Sequence, residues 1–182
     1  MNTTSISKTL VAGSLAAMTL LGIAQAGSTS TKVTTSSSLE NSDVTTTARK
    51  QGAIASSRMA SVTVEESSGT TVEARFKAKW TTINTDASGK NAEATADFAT
   101  VSVKKSTDTT VKAIVEAEKA AFITMATGSR SKATLKAATV DVENSTGTNV
   151  DASATFKWAG VVTAATGTNS TATTQFSATS VK

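Results

Sequence analysis

Between Val72 and Trp80 the chain alternates strictly. Val72, Ala74, Phe76, Ala78 and Trp80 stand on one parity, and Glu73, Arg75, Lys77 and Lys79 on the other. A period of two sends successive side chains to opposite faces, so this segment predicts a β-strand with one apolar and one charged face. The pattern recurs downstream as Val150, Ala152, Ala154, Phe156 and Trp158 against Asp151, Ser153, Thr155 and Lys157. The large ring moves from the Phe76 position to the Ala78 position, an even shift that keeps it on the same face. The parity therefore predicts a sheet packed on a core, with Val72, Phe76, Trp80, Phe98, Val150, Phe156, Trp158 and Phe176 as its anchors.

Val62-x-Val64 and Val140-x-Val142 precede these strands across Ser67-Ser-Gly-Thr70 and Ser145-Thr-Gly-Thr148, which read as hairpin turns with glycine supplying positive φ. Asp86–Asn91 and Ala164–Asn169 read as a second pair of turns. The third strand carries Ala94, Ala96 and Phe98, matched by Ala172, Thr174 and Phe176. Its parity switches to Val101 and Val103, which predicts a bulge near Ala99-Thr100. Val111–Ala126 has helical propensity, but its counterpart Val33–Leu39 does not. Extended structure is expected over Thr29–Ser37 and Thr107–Val115, with a short helix around Glu116–Ala121.

These matches share one offset of 78 residues. Gly69 meets Gly147, Lys79-Trp80 meets Lys157-Trp158, Asn91 meets Asn169 and Phe98 meets Phe176. Two repeats, residues 27–104 and 105–182, follow. The fold class expected is all-β: an antiparallel, sandwich-like architecture of two tandem repeats that either form separate units or merge into one domain.

Residues 1–26 read as a cleaved signal peptide. Lys8 supplies the positive region, Thr9–Ala24 the apolar run and Ala24-Gln25-Ala26 the small-residue cleavage site. The run is too short for a membrane span, which needs about 20 apolar residues, and no later run is long enough. Few aromatics (two Trp, five Phe, no Tyr) argue against the girdles of an outer-membrane barrel. A secreted or cell-surface location is expected, with the periplasm as the alternative.

Composition removes much chemistry. Without Cys there is no disulfide framework or thiolate metal site, and without His the commonest general base is missing. A Ser-His-Asp triad cannot exist, and no Gly-x-Ser-x-Gly elbow occurs. The net charge of +4 is spread along the chain, which does not indicate nucleic-acid binding. Asn84-x-Asp86-x-Ser88-Gly89 looks like the start of a calcium loop, but Thr95 stands where the twelfth-position Glu belongs. Glu65, Glu66, Glu73 and Asp97 could pair as glycosidase acids, yet they fall on polar strand positions, where solvated carboxylates are the ordinary reading. No catalytic residue, metal site or cofactor is assigned, and an enzyme is not expected.

An exported, duplicated β-scaffold without reactive groups predicts a structural subunit of an extracellular fibre, pilus-like filament or biofilm matrix. Its terminal segments would associate head-to-tail by β-strand addition: Thr29, Thr31, Val33 and Thr35 at one end, Phe176, Ala178 and Val181 at the other. The competing expectation is a monomeric secreted or periplasmic β-domain that binds a carbohydrate or a cell surface, as an adhesin does.

Overall fold

A computed structural model describes residues 8–12, 15–20, 24–26 and 32–181, the first three segments as backbone. It contains β1 (Lys8–Ala12), β2 (Leu15–Leu20) and β3 (Ala24–Ala26), followed by four turns of four strands each. The first turn holds β4 (Lys32–Glu40), β5 (Asp43–Arg49), β6 (Ile54–Met59) and β7 (Val62–Glu65). The second holds β8 (Thr71–Lys79), β9 (Thr82–Ser88), β10 (Glu93–Phe98) and β11 (Val101–Lys104). The third holds β12 (Thr110–Glu118), β13 (Ala121–Thr127), β14 (Lys132–Ala137) and β15 (Val140–Glu143). The fourth holds β16 (Asn149–Lys157), β17 (Gly160–Thr166), β18 (Thr171–Phe176) and β19 (Thr179–Val181).

Consecutive strands do not pair. Each pairs in parallel with its counterpart one turn away, as in Val33↔Val72, Val72↔Val111 and Val111↔Val150. Four parallel sheets result, and together they wall a β-solenoid. The all-β expectation holds, but the antiparallel sandwich is overturned. Period-two alternation is common to strands of either direction, so it cannot distinguish them. The segments read as hairpin turns are corners that carry the chain sideways into the next sheet. Ser67–Thr70 joins β7 to β8, and these corners stack in turn, with Ser68 bridging Thr107 and Thr107 bridging Thr146 in parallel.

The turn length from β4 onward is 39 residues, half of the offset that the sequence displays, so each 78-residue unit comprises two turns. The helix expected around Glu116–Ala121 is absent. Thr110–Glu118 and Ala121–Thr127 are strands β12 and β13, because the register with β8 and β9 overrides local propensity. The bulge expected at Ala99-Thr100 is instead a corner. Ala99 has φ +49, and Ala60, Ala138 and Ser177 adopt the same left-handed conformation in the other turns.

Inward-facing positions form columns. Val33, Val72 and Val111 continue into the half-buried Val150, and Val64, Val103 and Val142 build a second column. Phe76 stacks on Phe98 at 5.0 Å, Phe98 meets Phe122 at 5.1 Å, Phe122 meets Phe156 at 5.9 Å, and Phe156 meets Phe176 at 4.9 Å. The rings occupy different columns in successive turns, so large side chains are staggered through the core rather than piled on one axis. A second, narrow core is all alanine, including Ala48, Ala87 and Ala126 on one wall and Ala55, Ala94 and Ala133 on the other. Between the two cores lie buried hydroxyls. Ser57 Oγ donates to Thr46 Oγ1 at 3.0 Å, and Thr85 Oγ1 donates to Ser57 Oγ at 2.8 Å.

Candidate functional site

Stacking at a fixed register makes neighbours of residues 39 apart, and the charged ones obey a rule. Glu40, Lys79, Glu118 and Lys157 stand in one column. Glu65, Lys104 and Glu143 form a second, and Arg58, Asp97 and Lys136 a third. Glu73, Lys112 and Asp151 form a fourth. Sign alternates at every step, and among the described residues of the four turns no like-signed pair meets in register. Six of the eight ion pairs join residues one turn apart, including Lys77–Glu116 at 2.8 Å, Arg58–Asp97 at 3.3 Å and Lys105–Glu66 at 3.5 Å. The Lys77 hydrogen bond holds the Glu116 carboxyl below its ordinary range. Each exposed pair is worth little alone. Their alternation keeps like charges, which repel when directly opposite, out of register between turns.

Of the carboxylates weighed as glycosidase acids, Glu66, Glu73 and Asp97 are ion-paired. Glu65 stands opposite Lys104, Glu66 pairs with Lys105, Glu73 stands opposite Lys112 and Asp97 pairs with Arg58. Asn84, Asp86 and Ser88 lie on alternate positions of the extended strand β9 and do not curl around a common point. Burial raises the Asp86 carboxyl, against the nearby Arg49.

Asp97 lies in a small cleft lined by Arg58, Ser61, Ser102, Lys136 and Asp141. Burial pushes its carboxyl up, opposed by Arg58 and Lys136. The folded chain therefore takes up this proton at a higher pH than the unfolded chain. Above the folded value both states are ionised and the burial penalty is fully present. It is relieved as pH falls through the folded value towards the ordinary 3.8. The denaturation midpoint of the wild type, relative to Asp97→Asn, is accordingly expected to rise across that acid window. A constant difference between the two proteins from neutral pH to pH 4 would contradict this.

The tryptophans sit elsewhere than their parity implies. Trp80 is 50% exposed and Trp158 is 80% exposed. The alternation ends at Lys79 and Lys157, and each Trp follows as a corner residue with φ +54, which swings its side chain off the inward face. Val72, Phe76 and Phe98 are buried, whereas Val150 and Phe156 are half-buried and Phe176 is 42% exposed. Lys119 occupies the Trp column between the two rings, with its Nζ 4.0 Å from the Trp80 ring centre. Trp80, Lys119 and Trp158 thus line an open, shallow depression.

The residues expected to mediate assembly fall at opposite ends of the stack. Val33 and Thr35 belong to β4, the border strand of its sheet, and Thr29 and Thr31 lie outside the described residues. Phe176 ends β18, Ala178 follows in the corner, and Val181 ends β19 at 71% exposure. Beyond β16–β19 no further described strand is stacked. Sequence reasoning anticipated single terminal strands. What the fold presents is an entire turn, with its backbone ladder and inward columns open together. Among the described residues no helix is long and apolar enough to cross a membrane.

Comparison with protein-family models, curated proteins and solved structures finds no match.

Proposed function

We propose that this chain is an exported structural subunit of an extracellular fibre, a pilus-like filament or a biofilm matrix, which assembles by β-strand addition between subunits. The observation that carries the reading is the open four-strand border of β16–β19. Its half-buried Val150, Ala152, Phe156 and Val161 continue columns that the three preceding turns bury. Such a border presents unpaired N–H and C=O groups together with apolar surface, a combination that templates the next strand. Addition is head-to-tail and does not close on itself, so it propagates. The polypeptide beginning at Gly27 is expected to elongate with concentration in size-exclusion chromatography and to show fibres by negative-stain microscopy. A diffraction repeat of about 4.8 Å along the fibre axis is expected. A strictly monomeric species at every concentration would sink the proposal.

A second reading, a monomeric secreted or periplasmic β-domain of adhesin type, is favoured by the exposed Trp80–Lys119–Trp158 depression. Indole faces beside a cation suit stacking against a sugar ring. Saturable quenching of tryptophan fluorescence by saccharides, in a chain that stays monomeric, would favour it over the fibre.

A further inference from the structure

Resting on the fibre reading, we infer that the two ends of the solenoid are complementary in one register. The fourth turn of one copy receives the first turn of a second as though it were a fifth turn, with Asn149 opposite Lys32 of the second copy. The alternating column carries the argument. Glu40, Lys79, Glu118 and Lys157 run acid, base, acid, base. Four turns are an even number, so the column begins with a carboxylate and ends with an ammonium group. Glu40 of the second copy would meet Lys157 and continue the alternation across the junction. Among the described residues no like-signed pair arises in this register.

The apolar columns agree with the charges. Val150 would meet Val33, Phe156 would meet Leu39, Val161 would meet Val44, and Phe176 would meet Met59 of the second copy. Each is apolar on apolar, and the first-turn members are already inward-facing. A shift by one residue would set inward positions against outward ones. A tail-to-tail contact would run the strands antiparallel and lose the columns altogether.

Two features gate the contact. Strands β1–β3 lie on the first-turn side, paired with β5–β7, so docking requires removal of residues 1–26. One corner also resists. Lys50, at φ +123, heads the column Gly89–Gly128–Gly167. A Cβ at Gly89, Gly128 or Gly167 lies within 2.0–2.2 Å of the carbonyl oxygen one turn earlier. The Lys50 corner of the second copy must therefore step away from Gly167, and lysine at a sheet border is a familiar brake on uncontrolled pairing.

The chain has no cysteine, so cross-linking is free of background. In the polypeptide from Gly27, Ser38→Cys with Thr155→Cys places the two thiols opposite each other across the junction. Three turns separate them within one copy, about 14 Å, beyond the reach of a disulfide. Oxidation is expected to yield a covalent ladder of oligomers. Ser38→Cys with Ser153→Cys, two residues out of register, is expected to yield at least fivefold less. Glu40→Lys and Lys157→Glu are each expected to raise the critical concentration roughly three- to tenfold. Combining them in one chain brings it back towards the wild-type value, short of it because each swap also faces a like charge within the chain, at Lys79 and Glu118. Lys50→Gly is expected to lower it. Fibres that form but cross-link equally in both cysteine pairs, or ignore the charge swaps, would overturn this register and leave the fibre standing. No assembly by any variant would overturn both.

Discussion

Gly128→Ala is expected to cost about 3–5 kcal/mol of stability, a magnitude reserved for clashes and strained backbone. Gly128 has φ +132, and an added Cβ would lie 2.1 Å from the carbonyl oxygen of Gly89 in the turn before. That atom is backbone held in a ladder: Gly89 N–H donates to the Thr127 carbonyl oxygen at 2.8 Å, and Gly128 N–H to that of Thr166 at 2.8 Å. Neither side can yield without separating turns. Gly160→Ala is the control, because Gly160 has no atom within 4 Å of an added Cβ and no positive φ. It is expected to stay within about 0.5 kcal/mol of wild type. Equal losses by denaturant titration would mean that the turns are not stacked as described.

Phe122→Ala is expected to cost a further comparable amount, about 3–5 kcal/mol, the usual range for removing a buried ring. Phe122 is fully enclosed and touches three other rings, Phe98, Phe156 and Phe76. Phe176→Ala supplies the contrast. The one ring it meets among the described residues is that of Phe156, and Phe176 is 42% exposed, so its loss is expected to cost under about 1.5 kcal/mol in the monomer. In the proposed fibre its effect is expected to grow, because the neighbouring copy would cover it. Similar costs for the two substitutions in monomeric protein would show that the fourth turn is not the open end.

How far the fold could be read varies by element. Strand β8 was legible from Val72 onward, though not where it stops, because its four inward residues are apolar and Glu73, Arg75, Lys77 and Lys79 face outward. The corner glycines were legible as turns, but a four-residue turn looks the same whether the chain reverses or only bends into another sheet. The true period was hidden by the alternation that stabilises the stack. At an offset of 39 the columns of Glu40, Glu65, Arg58 and Glu73 invert their sign, Trp80 meets Lys119, and Phe98 meets Ala137. Doubling the offset brings Lys79-Trp80 onto Lys157-Trp158, Glu65 onto Glu143 and Phe98 onto Phe176, so 78 stands out. The tryptophans were misplaced for a local reason, since nothing in the alternation announces that the strand stops at Lys79 and that the next residue is left-handed.

By itself the sequence determined which residues face inward along β7, β8, β10 and their copies, that the chain bends at Ser67–Thr70 and Ser145–Thr148, and that no thiol or imidazole chemistry is available. Those properties depend on side-chain identity and on a two-residue period, both local. Strand direction, the length of a turn, the meeting of opposite charges and the completeness of the final border were decided by the tertiary structure. Each depends on which distant segment lies 4.8 Å or so away across a ladder, and that neighbour is fixed only when whole turns stack and their columns of rings, alanines and charges are satisfied together.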